Sequence, residues 1–115
     1  MQWELEHREQ IAICRLSGEL DAATATEVVS LLDREIEGGA NRLVLDLGRV
    51  AYIDSSGLGA LVKVLKKARS VGGDVRLAGL EPDVRKVLEL TRLDKIFEIS
   101  RTADDAVRHY LAGTR

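Results

Sequence analysis

Asp54-Ser55-Ser56-Gly57-Leu58-Gly59 concentrates groups able to do chemistry: a carboxylate, two hydroxyls and two glycines in one short run. Upstream lies an apolar strand pattern, Leu43-Val44-Leu45-Asp46-Leu47. Downstream, Leu58, Leu61, Val62 and Leu65 fall on one face of a helix. A strand running through Asp-Ser into a helix places Ser55 at or near the helix N-cap, beside unpaired backbone N–H groups and the positive end of the helix dipole. An added phosphate is readily held there. Glycine inside a first helical turn costs about 1 kcal/mol relative to Ala, so Gly57 and Gly59 imply close approach of the chain itself or of a partner.

Several chemistries fail on residue type. A hydrolytic Ser55 needs glycines on both sides and a His base. Here Ile53 and Asp54 precede it, and the histidines, His7 and His109, belong to no motif. Gly57-Leu58-Gly59 lacks the third glycine and the distal acid of a dinucleotide loop. Asp21, Asp46 and Asp54 have no tight metal-ligand spacing. No catalytic residue, metal site or cofactor is expected.

Two readings of Ser55 stay open on the residues alone. One is a plain structural cap, since Ser and Asp are favoured at that position. The other is a phosphoacceptor that a kinase reaches on the turn, with Asp54 orienting the hydroxyl or helping to remove its proton; the phosphate would add roughly −1.5 to −2 charge. A second stripe on the same helix, Gly57, Ala60, Val64 and Ala68, lies roughly 110° around from the first. It packs against a neighbouring helix, or it is a shallow docking site that senses Ser55. On the docking reading Gly57, Gly59, Ala60 and Val64 are the partner-binding candidates.

The elements that would carry this stretch follow from periodicity. Trp3–Arg8 and Ile11–Leu16 read as strands joined by a tight Glu9-Gln10 turn, and Gly18-Glu19-Leu20-Asp21 as a loop. Thr24 and Glu27 form a capping-box pattern before a helix with Val28, Leu31, Leu32 and Ile36 inward, stopped by Gly38-Gly39. Leu43–Leu47 suits a strand buried on both faces. The second helix runs to about Gly72-Gly73, Val75–Ala78 is the next strand, and Pro82 starts a third helix with Val84, Val87 and Leu88 inward. Ile96–Ile99 is a last strand, and Thr102 with Asp105 caps a final helix carrying Ala106, Val107, Tyr110 and Leu111. The order β-β-α-β-α-β-α-β-α predicts an α/β fold: a mixed, mainly parallel sheet with an N-terminal hairpin and about four helices, in one domain spanning 1–115.

Size and composition agree. A chain of 115 residues, 45% hydrophobic and 31% charged, can bury a real core as one domain. A net charge of −2 gives no field selecting nucleic acid or membrane. Lys63, Lys66, Lys67 and Arg69 read as a solvated helix face rather than a phosphate patch. A single Cys14 excludes an internal disulfide and reads as a small core residue. With no leader pattern and no long apolar run, a cytoplasmic protein is expected, unless a partner recruits it to a membrane.

Asp54-Ser55-Ser56-Gly57-Leu58-Gly59 resembles the central signature of the anti-sigma factor antagonists of the bacterial STAS-domain family, and Gly18-Glu19-Leu20-Asp21 looks like that family's early loop. Element order and length agree along nearly the whole chain. The resemblance implies that Ser55 is the phosphoacceptor, with Ser56 a neighbouring capping partner and Asp54 and Asp21 the acids near it. It implies partner switching. The dephosphorylated protein binds an anti-sigma factor that is also a serine kinase and so frees a sigma factor. Phosphorylation of Ser55 breaks the complex, and a PP2C-type phosphatase resets it. The alternative is a non-phosphorylated STAS subunit of a transport or signalling assembly.

Overall fold

The computed structural model describes residues 1–113; Thr114 and Arg115 of the expected 1–115 unit lie outside the described residues. Strand β1 (Gln2–Arg8) turns back into β2 (Ile11–Leu20) through Glu9 and Gln10, both at positive φ, 46° and 71°. Two successive left-handed residues match the twist of the flanking strands. The remaining elements are α1 (Ala25–Glu37), β3 (Arg42–Ile53), α2 (Ser55–Ser70), β4 (Asp74–Ala78), α3 (Pro82–Leu90), a 3-10 turn at Leu93–Lys95, β5 (Glu98–Ser100) and α4 (Ala103–Leu111). The strands form one sheet in the order β1-β2-β3-β4-β5. β1 is antiparallel to β2, and all later neighbours are parallel. The expected mixed α/β fold is the one observed.

Alternation along the central strands fills two separate layers. Ala12, Cys14, Leu16, Leu43, Leu45 and Leu47 join the α1, α2 and α3 side chains in the larger core. Ile11, Ile13, Val44 and Ala78 meet Ala103, Ala106, Val107 and Tyr110 of α4 on the other face. Val28, Leu31, Leu32 and Ile36 are all buried on α1, as their spacing requires. Cys14 is buried as expected, and burial, with the charge of Glu35 adding to it, pushes its thiol up to about 12. Pro82 sits in the first turn of α3, where its missing N–H costs nothing.

Several local expectations are corrected. Gly18-Glu19-Leu20 is the end of β2, not a loop. β3 continues six residues beyond Leu47, to Ile53. It does so by absorbing two irregularities: Arg15 pairs Asp46 but Ser17 pairs Arg49, and Gly18 pairs Val50 but Glu19 pairs Tyr52. At each step β3 carries one extra residue, the mark of a bulge. The bulges bring Val50 and Ile53 into the helix-side core and leave Ala51 and Tyr52 exposed. The last strand is Glu98–Ser100, shifted from the expected span because Leu93–Lys95 tightens into a 3-10 turn ahead of it. Leu111 is exposed rather than inward.

Capping was half legible. Thr102 caps α4 by accepting the Asp105 N–H at 3.1 Å. Thr24 stands at the cap of α1 but makes no capping bond. Its hydroxyl donates instead to the Glu19 carbonyl at 2.6 Å, and Glu27 faces the Met1 ammonium at 3.5 Å. The Thr24–Glu27 box is therefore not formed. No described helix is long and apolar enough to cross a membrane.

Candidate functional site

The site lies where β2 and β3 end side by side. Leu20 and Ile53 are register partners, so Asp21 and Asp54 leave the sheet at the same level. The Asp54 N–H donates to the Leu20 carbonyl at 3.1 Å and carries the ladder one step past the strands. The carboxyl ends of parallel strands are where ligand-facing loops of such sheets collect.

Asp54, not Ser55, is the N-cap of α2. Its Oδ1 accepts the N–H groups of Ser56 at 2.9 Å and Gly57 at 3.1 Å. Two orphan donors of the first turn are satisfied by this carboxylate, whose charge also suits the positive helix end. Ser55 follows as the first helical residue, exposed, with Ser56 half-buried behind it. Ser55 thus stands near the cap, one position beyond it, within the expected placement at or near the helix start. The hydroxyl is thereby left on the solvent side while its neighbour holds the helix start.

Asp21 does the same work on the other turn. Its Oδ1 accepts from the Ala23 N–H at 3.0 Å and the Thr24 N–H at 3.2 Å. Asp46 lies well back along β3, opposite Arg15, and accepts the Gly48 N–H at 3.0 Å. Asp21, Asp46 and Asp54 are thus each committed to local backbone, and no group of acids, His or Cys among the described residues could hold a metal ion.

The two glycines have different reasons. A Cβ on Gly57 would stand 2.3 Å from the Leu20 carbonyl oxygen and 2.9 Å from Ile53 Cγ1. The helix start is pressed against the end of β2, and only hydrogen fits. A Cβ on Gly59 would meet nothing within 4 Å, and Gly59 is exposed.

The second stripe is internal packing. Ala60 is 5% exposed, and Val64 and Ala68 are 0% exposed. Gly57 is buried too. α2 buries a face wide enough to include both stripes because it touches α1 on one flank while lying on the sheet with the other. As a docking surface, Gly57, Ala60 and Val64 are therefore ruled out, and Gly59 alone of that set faces solvent. The accessible stripe that runs from Ser55 is a different one: Gly59, Val62 and Lys66 follow it at the spacing of one helical face. Ser55, Gly59 and Lys66 are exposed and Val62 half-buried. Tyr52, two residues ahead of the Asp54 cap near the end of β3, is 49% exposed. The hydrophobic pattern put Val62 on the inward face with Leu58, Leu61 and Leu65, but it is only half-buried, packed against the edge of the core, and the pattern did not single out the others. The lysines around Lys66 were the available signal, since charge marks the wet side of a helix.

The remaining chemical groups are elsewhere. His7, on β1, is exposed and lies 2.6 Å from Glu35 of α1. His109 is exposed on α4, which packs on the opposite face of the sheet from α2. The basic run is a solvated face as expected, with Lys67 paired to Glu37 at 2.8 Å and Arg69 to Asp74 at 3.1 Å.

This arrangement meets a family model with the same extent. Residues 2–106 match the STAS domain. The chain belongs to the STAS family. A similar relative is the anti-sigma F factor antagonist of Paenibacillus polymyxa, 35% identical over 100 residues, covering 86% of each chain. Another is the anti-sigma-B factor antagonist of Listeria monocytogenes, 36% identical over 85 residues, covering 73% of this chain and 74% of that one. Among solved structures, the crystal structure of TM1081 from Thermotoga maritima superposes with a TM-score of 0.88 at 30% identity, over 93% of this chain and 92% of that one.

Proposed function

We propose that this STAS protein is an anti-sigma factor antagonist switched by phosphorylation of Ser55. In the dephosphorylated state it binds an anti-sigma factor that is also a serine kinase, and the sigma factor is released. The Ser55 oxygen attacks the γ-phosphorus of ATP held by the kinase. The bond to ADP breaks, and the hydroxyl proton passes to a base of the kinase. A PP2C-type phosphatase hydrolyses the ester with water and returns Ser55 with inorganic phosphate. The protein supplies the acceptor and the docking surface, takes no cofactor and performs no catalysis of its own.

The observation that carries this reading is the position of Ser55: exposed, first in α2, beside a carboxylate already engaged by the helix start. The relatives named as antagonists supply the class of partner. A phosphate on Ser55 brings roughly −1.5 to −2 charge next to Asp54. Asp54 already holds the Ser56 and Gly57 N–H groups. Phosphate and carboxylate would compete for the same helix end, so the turn must rearrange or the charge must project outward. Asp21, Asp54 and Ser56 support the acceptor by holding the two turns in place. The docking surface would be the stripe Ser55, Gly59, Val62 and Lys66, together with the exposed Tyr52. A partner packed on it would have to desolvate a dianion, and a loss of about 3 kcal/mol is roughly a hundredfold in affinity.

The test is incubation with a cognate anti-sigma kinase and ATP, followed by intact-mass analysis and peptide mapping. One phosphate on Ser55, absent in Ser55→Ala, with release of the partner on modification, is the expected result. Stable binding of the kinase without phosphate transfer, or a phosphate mapped to Ser56 or Thr91, would overturn the switch at Ser55.

A further inference from the structure

We propose, on the reading of Ser55 as the phosphoacceptor, that Thr24 is a positioning residue for that serine. Its hydroxyl fixes the peptide group between Leu20 and Asp21, and that peptide group sets where α2 begins.

The Thr24 side chain is badly placed for a helix cap and well placed for a strand end. Thr24 precedes α1 with φ −109° and ψ −13°, a helical backbone. A capping hydroxyl reaches the N–H groups that follow it from an extended backbone. Asp21 organises the start of α1 instead. Its carbonyl accepts the Ala25 N–H at 2.9 Å, and its Oδ1 accepts the Ala23 and Thr24 N–H groups. The Thr24 hydroxyl turns back to the end of β2 and brackets Leu20. It donates to the Glu19 carbonyl at 2.6 Å on one side and accepts the Asp21 N–H at 3.1 Å on the other.

The Asp21 N–H and the Leu20 carbonyl belong to one trans, planar peptide group, so its two polar ends point in opposite directions. Thr24 holds the N–H end, and the carbonyl end accepts the Asp54 N–H at 3.1 Å. The same carbonyl oxygen would stand 2.3 Å from a Cβ on Gly57, so it also bears on the first turn of α2. Rotation of this one peptide group moves both the cap residue before Ser55 and the turn after it. Ser55 is exposed, and its hydroxyl is placed by the backbone on either side. Hydrogen bonds in series polarise one another, so the Thr24 contact also strengthens the bond from Asp54 to Leu20. Phosphoryl transfer depends on where the attacking oxygen sits, and a displacement of about 1 Å can cost roughly a hundredfold in rate. Thr24 belongs to the start of α1 rather than to the α2 stripe proposed for docking, so its loss acts on transfer more than on binding.

The experiment compares three variants. Thr24→Val replaces the hydroxyl by a methyl group, and Thr24→Ser keeps it. Thr102→Val removes the hydroxyl cap of α4, on the opposite face of the sheet. Amide hydrogen exchange of the isotope-labelled full chain reads the turn without any partner. In Thr24→Val the Asp54 amide should exchange about tenfold faster than in the parent, relative to the core amide of Leu45, as for the loss of one hydrogen bond. Thr24→Ser and Thr102→Val should keep the parent's ratio. With a cognate anti-sigma kinase and ATP, kcat for phosphate on Ser55 should fall about tenfold or more in Thr24→Val, with KM within about twofold of the parent. Thr24→Ser should restore the rate. An unchanged Asp54 ratio in Thr24→Val, an unchanged kcat, a loss confined to KM, or an equal loss in Thr102→Val would overturn the positioning role. A parent that takes no phosphate on Ser55 would overturn the phosphoacceptor reading together with it, a failure distinct from one seen in the variant alone.

Discussion

The sharpest contrast within the site is between its two glycines, and substitution to Ala should change stability in opposite directions. Both lie in the first turns of α2, and both would gain about 1 kcal/mol of helix propensity as Ala. At Gly59 the new methyl meets nothing within 4 Å, so Gly59→Ala should stabilise the protein by about 0.5–1 kcal/mol. At Gly57 the methyl would stand 2.3 Å from the Leu20 carbonyl oxygen and 2.9 Å from its carbon. These are backbone atoms of β2, so α2 must lift away. Lifting stretches the Asp54 N–H to Leu20 bond and the Gly57 N–H to Asp54 bond, both 3.1 Å. Overpacking of this kind costs about 1–3 kcal/mol, more when hydrogen bonds follow. Gly57→Ala should therefore be destabilised by about 1–3 kcal/mol net of propensity. Urea denaturation read by circular dichroism measures both, and at about 4 °C per kcal/mol for this size the melting temperatures should move apart by roughly 6–15 °C. Destabilisation in both variants, or in neither, would refute the assignment of Gly57 to close packing and Gly59 to open surface. Gly59→Ala then serves as a folded probe: its methyl sits on the proposed docking stripe and should alter partner affinity without altering the fold.

Ser55→Ala should change stability by no more than about 0.5 kcal/mol because the cap is next door, whereas Asp54→Ala should cost about 1 kcal/mol through the two N–H groups it orphans; chemical denaturation of both variants distinguishes a cap at 54 from one at 55. Val64→Glu places a carboxylate at a site 0% exposed and should abolish cooperative unfolding or lose several kcal/mol, so a well-folded Val64→Glu protein that merely loses partner binding would contradict the packing described here. Glu6 is held down to about 2 by its bonds to Arg8 and then Arg15. A carboxylate depressed on folding contributes stability above its unfolded value near 4.5 and loses it as the pH falls toward about 2. The stability gap between the parent and Glu6→Gln should accordingly be constant above that window and close within it, which denaturation at a series of acidic pH values would follow.

Much of this protein is legible in its sequence because the signals are local and repeat. Helical spacing of Val28, Leu31, Leu32 and Ile36 leaves one face for burial, and the apolar run of β3 has water on neither side. Asp-Ser-Ser-Gly between a strand and a helix marks the turn that carries the site, since capping and close approach demand those residue types in that order. The resemblance to the family rests on the same six residues and the element order, and the family model matches residues 2–106. What the sequence could not decide are matters of one element meeting another. The end of β3 depends on two bulges against β2, and nothing in Gly48 to Tyr52 alone says that a strand pattern resumes after an extra residue. Thr24 had two partners available, its own helix and the Glu19 carbonyl, and the return of β2 placed the second within reach. Above all, the small-residue stripe of α2 has the same spacing whether it faces solvent or a neighbour. The layering of α1 and α2 on the sheet buried Ala60 and Val64 and left Ser55 and Gly59 outside. Burial is decided by which surfaces the fold brings together, and a single helix's periodicity carries no information about its second flank.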